Sequence, residues 1–228
     1  RRQRQMCIRD RLAGGHSIDT TEPVFGLAVS GICDIRQLKR NNTAKEGDLL
    51  FLTKPLGAGV MSTAQKRGVL KEEHAAILIA QLTTLNKVGE ALGKINGVSA
   101  MTDVTGFGLA GHLIEMAGGS GLTAELYYSH VPLIEGAKEY LALGTVPDGT
   151  YRNWNGYSTK VSFDHGVNVM EAFNILPDPQ TNGGLLIAVN EDAKDEVIRL
   201  LEQNGLHNFI TPIGRLVAGQ DKVIIVKQ

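Results

Sequence analysis

Between Glu72 and Ile95 the apolar residues recur at spacings of three and four. They are Ala75, Leu78, Leu82, Leu85, Val88, Leu92 and Ile95, with polar residues opposite. That period predicts one amphipathic helix over 72–95. The run Leu49 to Thr53 reads as a short buried strand, and Lys54 to Gly59 as a turn into a helix near Val60. Val98 and Ala100 lead a second strand towards Asp103, and Leu109, Leu113 and Met116 then fall on one helical face. Leu122 to Tyr128 reads as a strand and 134–143 as a short helix ended by Gly144. Residues 145–165 read as a long irregular stretch, the kind that tends to be functional or mobile. Asp178 to Gly184 is a turn feeding the strand Leu185 to Val189, and Asn190 caps a helix that ends at Asn204-Gly205. Phe209 to Val217 and Val223 to Val226 close the chain as strands. Near the start, Phe25, Leu27 and Val29 alternate with Gly26, Ala28 and Ser30, which predicts a strand from Val24 to Ile32. Strands alternating with helices predict an α+β fold, with helices layered on a mixed β-sheet.

Composition narrows the class. The 228 residues are 43% hydrophobic, enough for a real core, and no apolar run is long enough to span a bilayer. A net charge of −1 gives no electrostatic case for nucleic acid or a membrane surface. The charge is uneven, however. Residues 1–12 hold five Arg against one Asp. This segment resembles translated adapter sequence and is read as a non-native leader that packs against nothing apolar. With Cys7 in that leader and Cys33 alone elsewhere, there is no disulfide framework or paired metal-ligand spacing, which suits a reducing, cytoplasmic setting.

The chemistry concentrates at Met101-Thr102-Asp103-Val104-Thr105-Gly106-Phe107-Gly108-Leu109-Ala110-Gly111-His112-Leu113. Here a carboxylate stands where a strand ends and a helix begins. Helix N-termini attract anions, Thr105 can cap with its hydroxyl, and Gly106 and Gly108 admit a ligand close to the main chain. A phosphate beside Asp103 would be repelled by about 4 kcal/mol at 4 Å and an effective dielectric near 20. A helix terminus returns only about 0.3–2 kcal/mol. A divalent cation such as Mg²⁺ can sit between the two anions, since it takes one or two carboxylates with phosphate oxygens and water. The alternative is that Asp103 only braces the turn. Gly106, Gly108 and Gly111 also fit a dinucleotide fingerprint, with Glu125 near the place of a ribose-binding acid. Against this, Asp103 would face the pyrophosphate and Glu125 falls in mid-strand. Around Lys54, Gly57 and Gly59 the ending that a Walker A loop needs is missing. Lys54 stays a candidate cation, and the roles of Arg152 and Asp178 stay open, with a structural role favoured for Asp178.

The segment 102–113 resembles the signature of selenophosphate synthetases. Three further segments agree in order: Gly14 to Asp19, Phe51 to Val60, and Asp178 to Leu186. The resemblance runs from about residue 13 to the C-terminus. It implies conversion of ATP, selenide and water to selenophosphate, AMP and orthophosphate by an Mg²⁺-dependent homodimer. It also implies two domains of the aminoimidazole ribonucleotide synthetase type. On that basis 13–44 is a remnant of the N-terminal ATP-binding and dimerisation domain, and 45–228 is the C-terminal domain. The resemblance makes Asp103 a metal ligand and places Gly15, His16 and Ser17 in a loop that contacts nucleotide across the dimer.

The departures are large. The family's reactive Cys or selenocysteine, its neighbouring Lys and its other metal-binding Asp residues have no counterpart here. No catalytic residue is therefore assigned, and the isolated chain is expected to be inactive. Asn182 stands where the family usually has Ser. Two other classes remain open: a related synthetase or kinase acting on an aminoimidazole precursor or thiamine phosphate, and a non-catalytic interaction domain.

Overall fold

The computed structural model describes residues 21–22, 24–27 and 31–228. The chain divides into two units, 1–33 and 34–228. In the first, the described residues of the expected strand, 24–27 and 31–32, are exposed and pair with no other strand. An alternating apolar pattern needs a ladder partner to become a strand, and none stands among the described residues of this unit. The leader 1–12 lies outside the described residues, as do Gly15, His16 and Ser17.

The second unit is built on seven strands: β1 (Leu49–Leu52), β2 (Val98–Asp103), β3 (Leu122–Tyr127), β4 (Val161–Phe163), β5 (Leu185–Val189), β6 (Gly214–Ala218) and β7 (Ile224–Lys227). They form one mixed sheet in the order β2-β5-β1-β6-β3-β7-β4. β3 and β4 run parallel to β7, and the other pairs are antiparallel. The helices are α1 (Ala58–Lys66), α2 (Glu72–Thr83), α3 (Val88–Gly93), α4 (Gly108–Gly119), α5 (Ala137–Ala142), α6 (Asp148–Tyr157), α7 (Val169–Ile175) and α8 (Lys194–Gln203). The expected α+β layering of helices on a mixed sheet is present.

Side chains alternate across a strand, so each strand feeds two faces. Leu186 and Ala188 of β5 join the larger core with Leu50, Leu52, Leu113 of α4 and Ile175 of α7. Leu185, Ile187 and Val189 join a second core with Leu92 of α3 and Val197 and Leu201 of α8. With both faces covered, β5 is buried throughout. Farther along the sheet the second face changes character. There Glu125 of β3 accepts from Arg215 Nε at 2.7 Å and Lys227 Nζ at 2.6 Å. A third cluster, with Leu78 and Tyr140, joins α1, α2 and α5.

Three expectations need correction, the first being the strand from Phe209 to Val217, which is confined to β6 because the chain only joins the sheet at Gly214. The single helix over 72–95 is two helices, α2 and α3, separated at Thr84, whose backbone is extended at φ −72°, ψ 123°. The apolar stripe continues across the break because its halves serve different cores. Leu78 packs with α1 and α5, whereas Val88, Leu92 and Ile95 pack with α8. Leu85 lies between the two and is exposed. The break is pinned from outside: the Thr84 carbonyl accepts from Lys54 Nζ at 2.6 Å and Asn182 Nδ2 at 2.8 Å. The stretch 145–165 is also not irregular, since it contains α6 and β4. Trp154 anchors α6, with its ring centroid 4.7 Å from Phe173 and 5.8 Å from Phe163. Tertiary packing overrides the low helix propensity of Gly149, Asn153, Asn155 and Gly156.

Candidate functional site

β2 is an edge strand, and Asp103 is its last residue, paired with Leu185 of β5. Val104 extends the ladder by donating its N–H to the Gly184 carbonyl at 2.8 Å. Val104 is fully buried, whereas Asp103 is exposed and Thr105 half-buried. The Asp103 carboxylate has no hydrogen bond or ion pair among the described residues. It therefore reaches solvent from a rigid strand end.

The loop from Thr105 to Gly108 is held by its carbonyls. Thr105 O accepts from the N–H of Gln180 at 3.0 Å and of Gly108 at 3.0 Å. Gly106 O accepts from Asn153 Nδ2 at 2.7 Å, and the same amide reaches Pro177 O at 3.0 Å. Phe107 O accepts from the Tyr157 hydroxyl at 2.9 Å. Thus α6, which sequence reasoning missed, clamps this loop. Gly108 has φ +68°, and a Cβ there would stand 2.5 Å from Pro177 C and 2.7 Å from Leu176 O. Only glycine suits both the backbone conformation and the close approach. At Gly106 nothing lies within 4 Å of an added Cβ, so that side of the loop is open.

Two features differ from expectation. Thr105 does not cap α4 with its side chain; no side chain caps this helix. Its hydroxyl oxygen instead lies 3.2 Å from His112 Nε2. The α4 terminus is also less available to an anion than its position suggests, because the Ala110 N–H is already donated to Leu176 O at 2.9 Å.

The dinucleotide reading fails on context. Its fingerprint requires a parallel βαβ unit, but β2 pairs antiparallel with β5 and stands four places from β3 in the sheet order. Glu125 is held by Lys227 and, more weakly, by Arg215, which keep its carboxyl below the usual range against the opposing effect of burial.

The three open residues have distinct placements. Lys54 is buried and donates to the carbonyls of Thr84 and Asn182, tying the β1–α1 turn to the α2–α3 break. Burial lowers its ammonium pKa. Asp178 is fully buried at the start of α1, where Oδ2 accepts from Gly59 N–H at 3.0 Å and Gln180 Nε2 at 2.8 Å. Burial pushes its carboxyl up to about 7. Both side chains brace turns. Arg152 is exposed on α6 and has no partner among the described residues.

Among the described residues, no three His, Cys, Asp or Glu side chains converge on a metal position. Asp103 alone fits as one carboxylate ligand, which is within the habit of Mg²⁺ when phosphate oxygens and water complete its shell.

Comparison with known proteins agrees with this architecture. Residues 45–227 match the family described as AIR synthase related protein, C-terminal domain. A selenide, water dikinase of Aeromonas salmonicida (strain A449) is 49% identical over 217 residues, covering 94% of this chain and 61% of the relative. Another from Shewanella putrefaciens (strain CN-32 / ATCC BAA-453) is 51% identical over 213 residues, covering 92% of this chain and 58% of the relative. The chain thus spans about three fifths of the length of these curated relatives. Among solved structures, the hydrogenase maturation protein HypE superposes with a TM-score of 0.61 at 17% identity, covering 82% of this chain and 51% of that one. Thiamine-monophosphate kinase from Stenotrophomonas maltophilia K279a superposes with a TM-score of 0.55 at 19% identity, covering 83% and 53%. At such identities the superpositions speak for the fold alone. By the match over 45–227, the chain belongs to the AIR synthase related family through that family's C-terminal domain.

Proposed function

We propose that this chain is part of a selenide, water dikinase, making selenophosphate, AMP and orthophosphate from ATP, selenide and water. About 50% identity across more than nine tenths of the chain supports the assignment. The structural observation that carries the site is the exposed, unpartnered carboxylate of Asp103 beside an anchored glycine loop.

In this reading Asp103 is one ligand to Mg²⁺, and the metal supplies charge neutralisation for phosphate oxygens. Phosphoryl transfer depends mainly on positioning and electrostatic stabilisation. The chain's own contribution is positional. β2 fixes the carboxylate, Asn153 and Tyr157 hold the loop carbonyls away from it, and Gly106 leaves room for a ligand. Gly15, His16 and Ser17 are proposed as the nucleotide contact across a homodimer in the cytoplasm, and residues 13–44 as the end of the preceding ATP-binding domain, of which 34–44 pack with the C-terminal unit.

The test joins residues 13–228 to the remaining N-terminal length of the Aeromonas relative. Selenide-dependent formation of AMP is expected, and Asp103→Asn should lower it at least about tenfold, as loss of a transition-state contact does. ATP consumption that ignores selenide but follows a phosphorylatable organic acceptor would move the chain to the kinase alternative. Full activity of the Asp103→Asn protein would remove Asp103 from the site.

A further inference from the structure

α4 carries a second polar line that the reading above leaves unused. His112 is buried one turn into the helix, among residues that otherwise form the larger core. Its two ring nitrogens have different neighbours. Nδ1 lies 3.2 Å from Glu115 Oε2, and Nε2 lies 3.2 Å from Thr105 Oγ1. The Phe107 ring packs at 5.8 Å, tilted by 49°, beside the imidazole. Thr105 is separated from Asp103 only by the buried Val104, so the line ends at the same corner as the free carboxylate.

For a neutral imidazole the donor inventory fixes the direction of this line. An ionised carboxylate only accepts hydrogen bonds, so the proton between Glu115 and His112 belongs to Nδ1. In a neutral ring Nε2 is then an acceptor, and among the described residues the donor facing it is the Thr105 hydroxyl. That hydroxyl has one proton. Once it is given to His112, both oxygen lone pairs face away from the ring. The opposite tautomer would reverse this, leaving the Thr105 proton free to point at a phosphate oxygen.

We propose that Glu115 and His112 form a positioning relay that locks the Thr105 hydroxyl as a hydrogen-bond acceptor at the Asp103 corner. The relay rests on reading that corner as the ligand-facing site. Its chemical consequence is a matched pair. Asp103 and Thr105 both present acceptor oxygens, which suit the donor protons of a hydrated cation and disfavour a bare phosphate oxygen. Phosphate is then admitted at this corner only together with its cation. Neither His112 nor Glu115 touches ligand; they act through Thr105.

The tautomer can be read without any nucleotide, metal or activity, so the outcome is independent of whether the dikinase assignment holds. The 228-residue chain is labelled with ring-¹⁵N histidine, and the His112 signals are identified by their loss in His112→Gln. At neutral pH the wild-type ring should show a protonated Nδ1 and an unprotonated, hydrogen-bonded Nε2. Glu115→Ala should exchange the two signals, because Nδ1 loses its acceptor while the Thr105 oxygen can accept from Nε2–H. Glu115 is nearly half exposed, so this variant keeps the fold. Thr105→Ser should preserve the wild-type pattern, and Thr105→Val should shift Nε2 towards the position of a free acceptor. A wild-type ring protonated at Nε2, alone or together with Nδ1, would overturn the relay. So would a Glu115→Ala spectrum identical to wild type.

Discussion

Asp178 shows what a single buried carboxyl does to the chain's energetics. Its Oδ1 has no hydrogen-bond partner among the described residues, and burial pushes the group up to about 7. Between the ordinary carboxylate range and 7, the folded state keeps a proton that the unfolded state has released. Stability from this group is therefore fully present at low pH and declines as pH rises through that window. A shift of about three units sets an upper limit near 4 kcal/mol. Denaturant unfolding at pH 4.5 and at pH 8 should show wild type losing about 1–4 kcal/mol relative to Asp178→Asn. Parallel stability curves for the two proteins would show that the carboxyl titrates normally. At Gly108 the effect is steric. A left-handed backbone costs a non-glycine residue about 1–2 kcal/mol, and the added Cβ must also displace the backbone of Leu176 and Pro177. Gly108→Ala should destabilise by about 2–4 kcal/mol in the same measurement. A change under about 1 kcal/mol would mean that the 176–177 turn gives way freely.

At the scale of elements, α6 decides how firmly the candidate site is held. Asn153 and Tyr157 stand one turn apart and take the carbonyls of Gly106 and Phe107. Asn153→Ala removes two hydrogen bonds at once and should cost about 1–2 kcal/mol. It should also raise amide exchange at Phe107 and Gly108 before any global unfolding. Unchanged exchange there would sink the clamp. This helix was not legible in the sequence. Its two glycines and four asparagine or tyrosine positions give a polar, low-propensity pattern, and the signal that existed was Pro147 followed by Asp148 in the first turn. The edge strand β2 and helix α4 were legible, since apolar periodicity changes from two to nearly four across Asp103. The break at Thr84 was hidden because the stripe keeps its spacing while changing cores. Periodicity reports that a face is buried, not against what. The His112 line was hidden for a related reason: a histidine among leucines and glycines gives no sequence sign of which residues meet its two nitrogens.

For the whole molecule, the question is where the folding unit begins. The family match starts at residue 45, whereas the compact unit starts at Asp34. The intervening segment is polar, but its hydrogen bonds reach far along the chain. Lys39 Nζ donates to Ile95 O at 2.8 Å, and Met101 N–H donates to Arg40 O at 3.1 Å. Thr43 Oγ1 donates to Ser99 O at 2.7 Å, and Ala44 N–H donates to Ser120 Oγ at 3.1 Å. Two of these contacts fall on β2, whose outer edge would otherwise present unpaired backbone groups, and such edges invite association. Residues 39–44 thus act as a strap over the strand that ends in Asp103. Each bond contributes about 0.5–1.5 kcal/mol. A chain of 34–228 should therefore unfold in one transition, about 2–4 kcal/mol more stable than a chain of 45–228. The shorter chain should also self-associate at lower concentration. Equal stability and equal sedimentation of the two would show that the β2 edge needs no cover, and that the Asp103 corner is held from the β5 side alone.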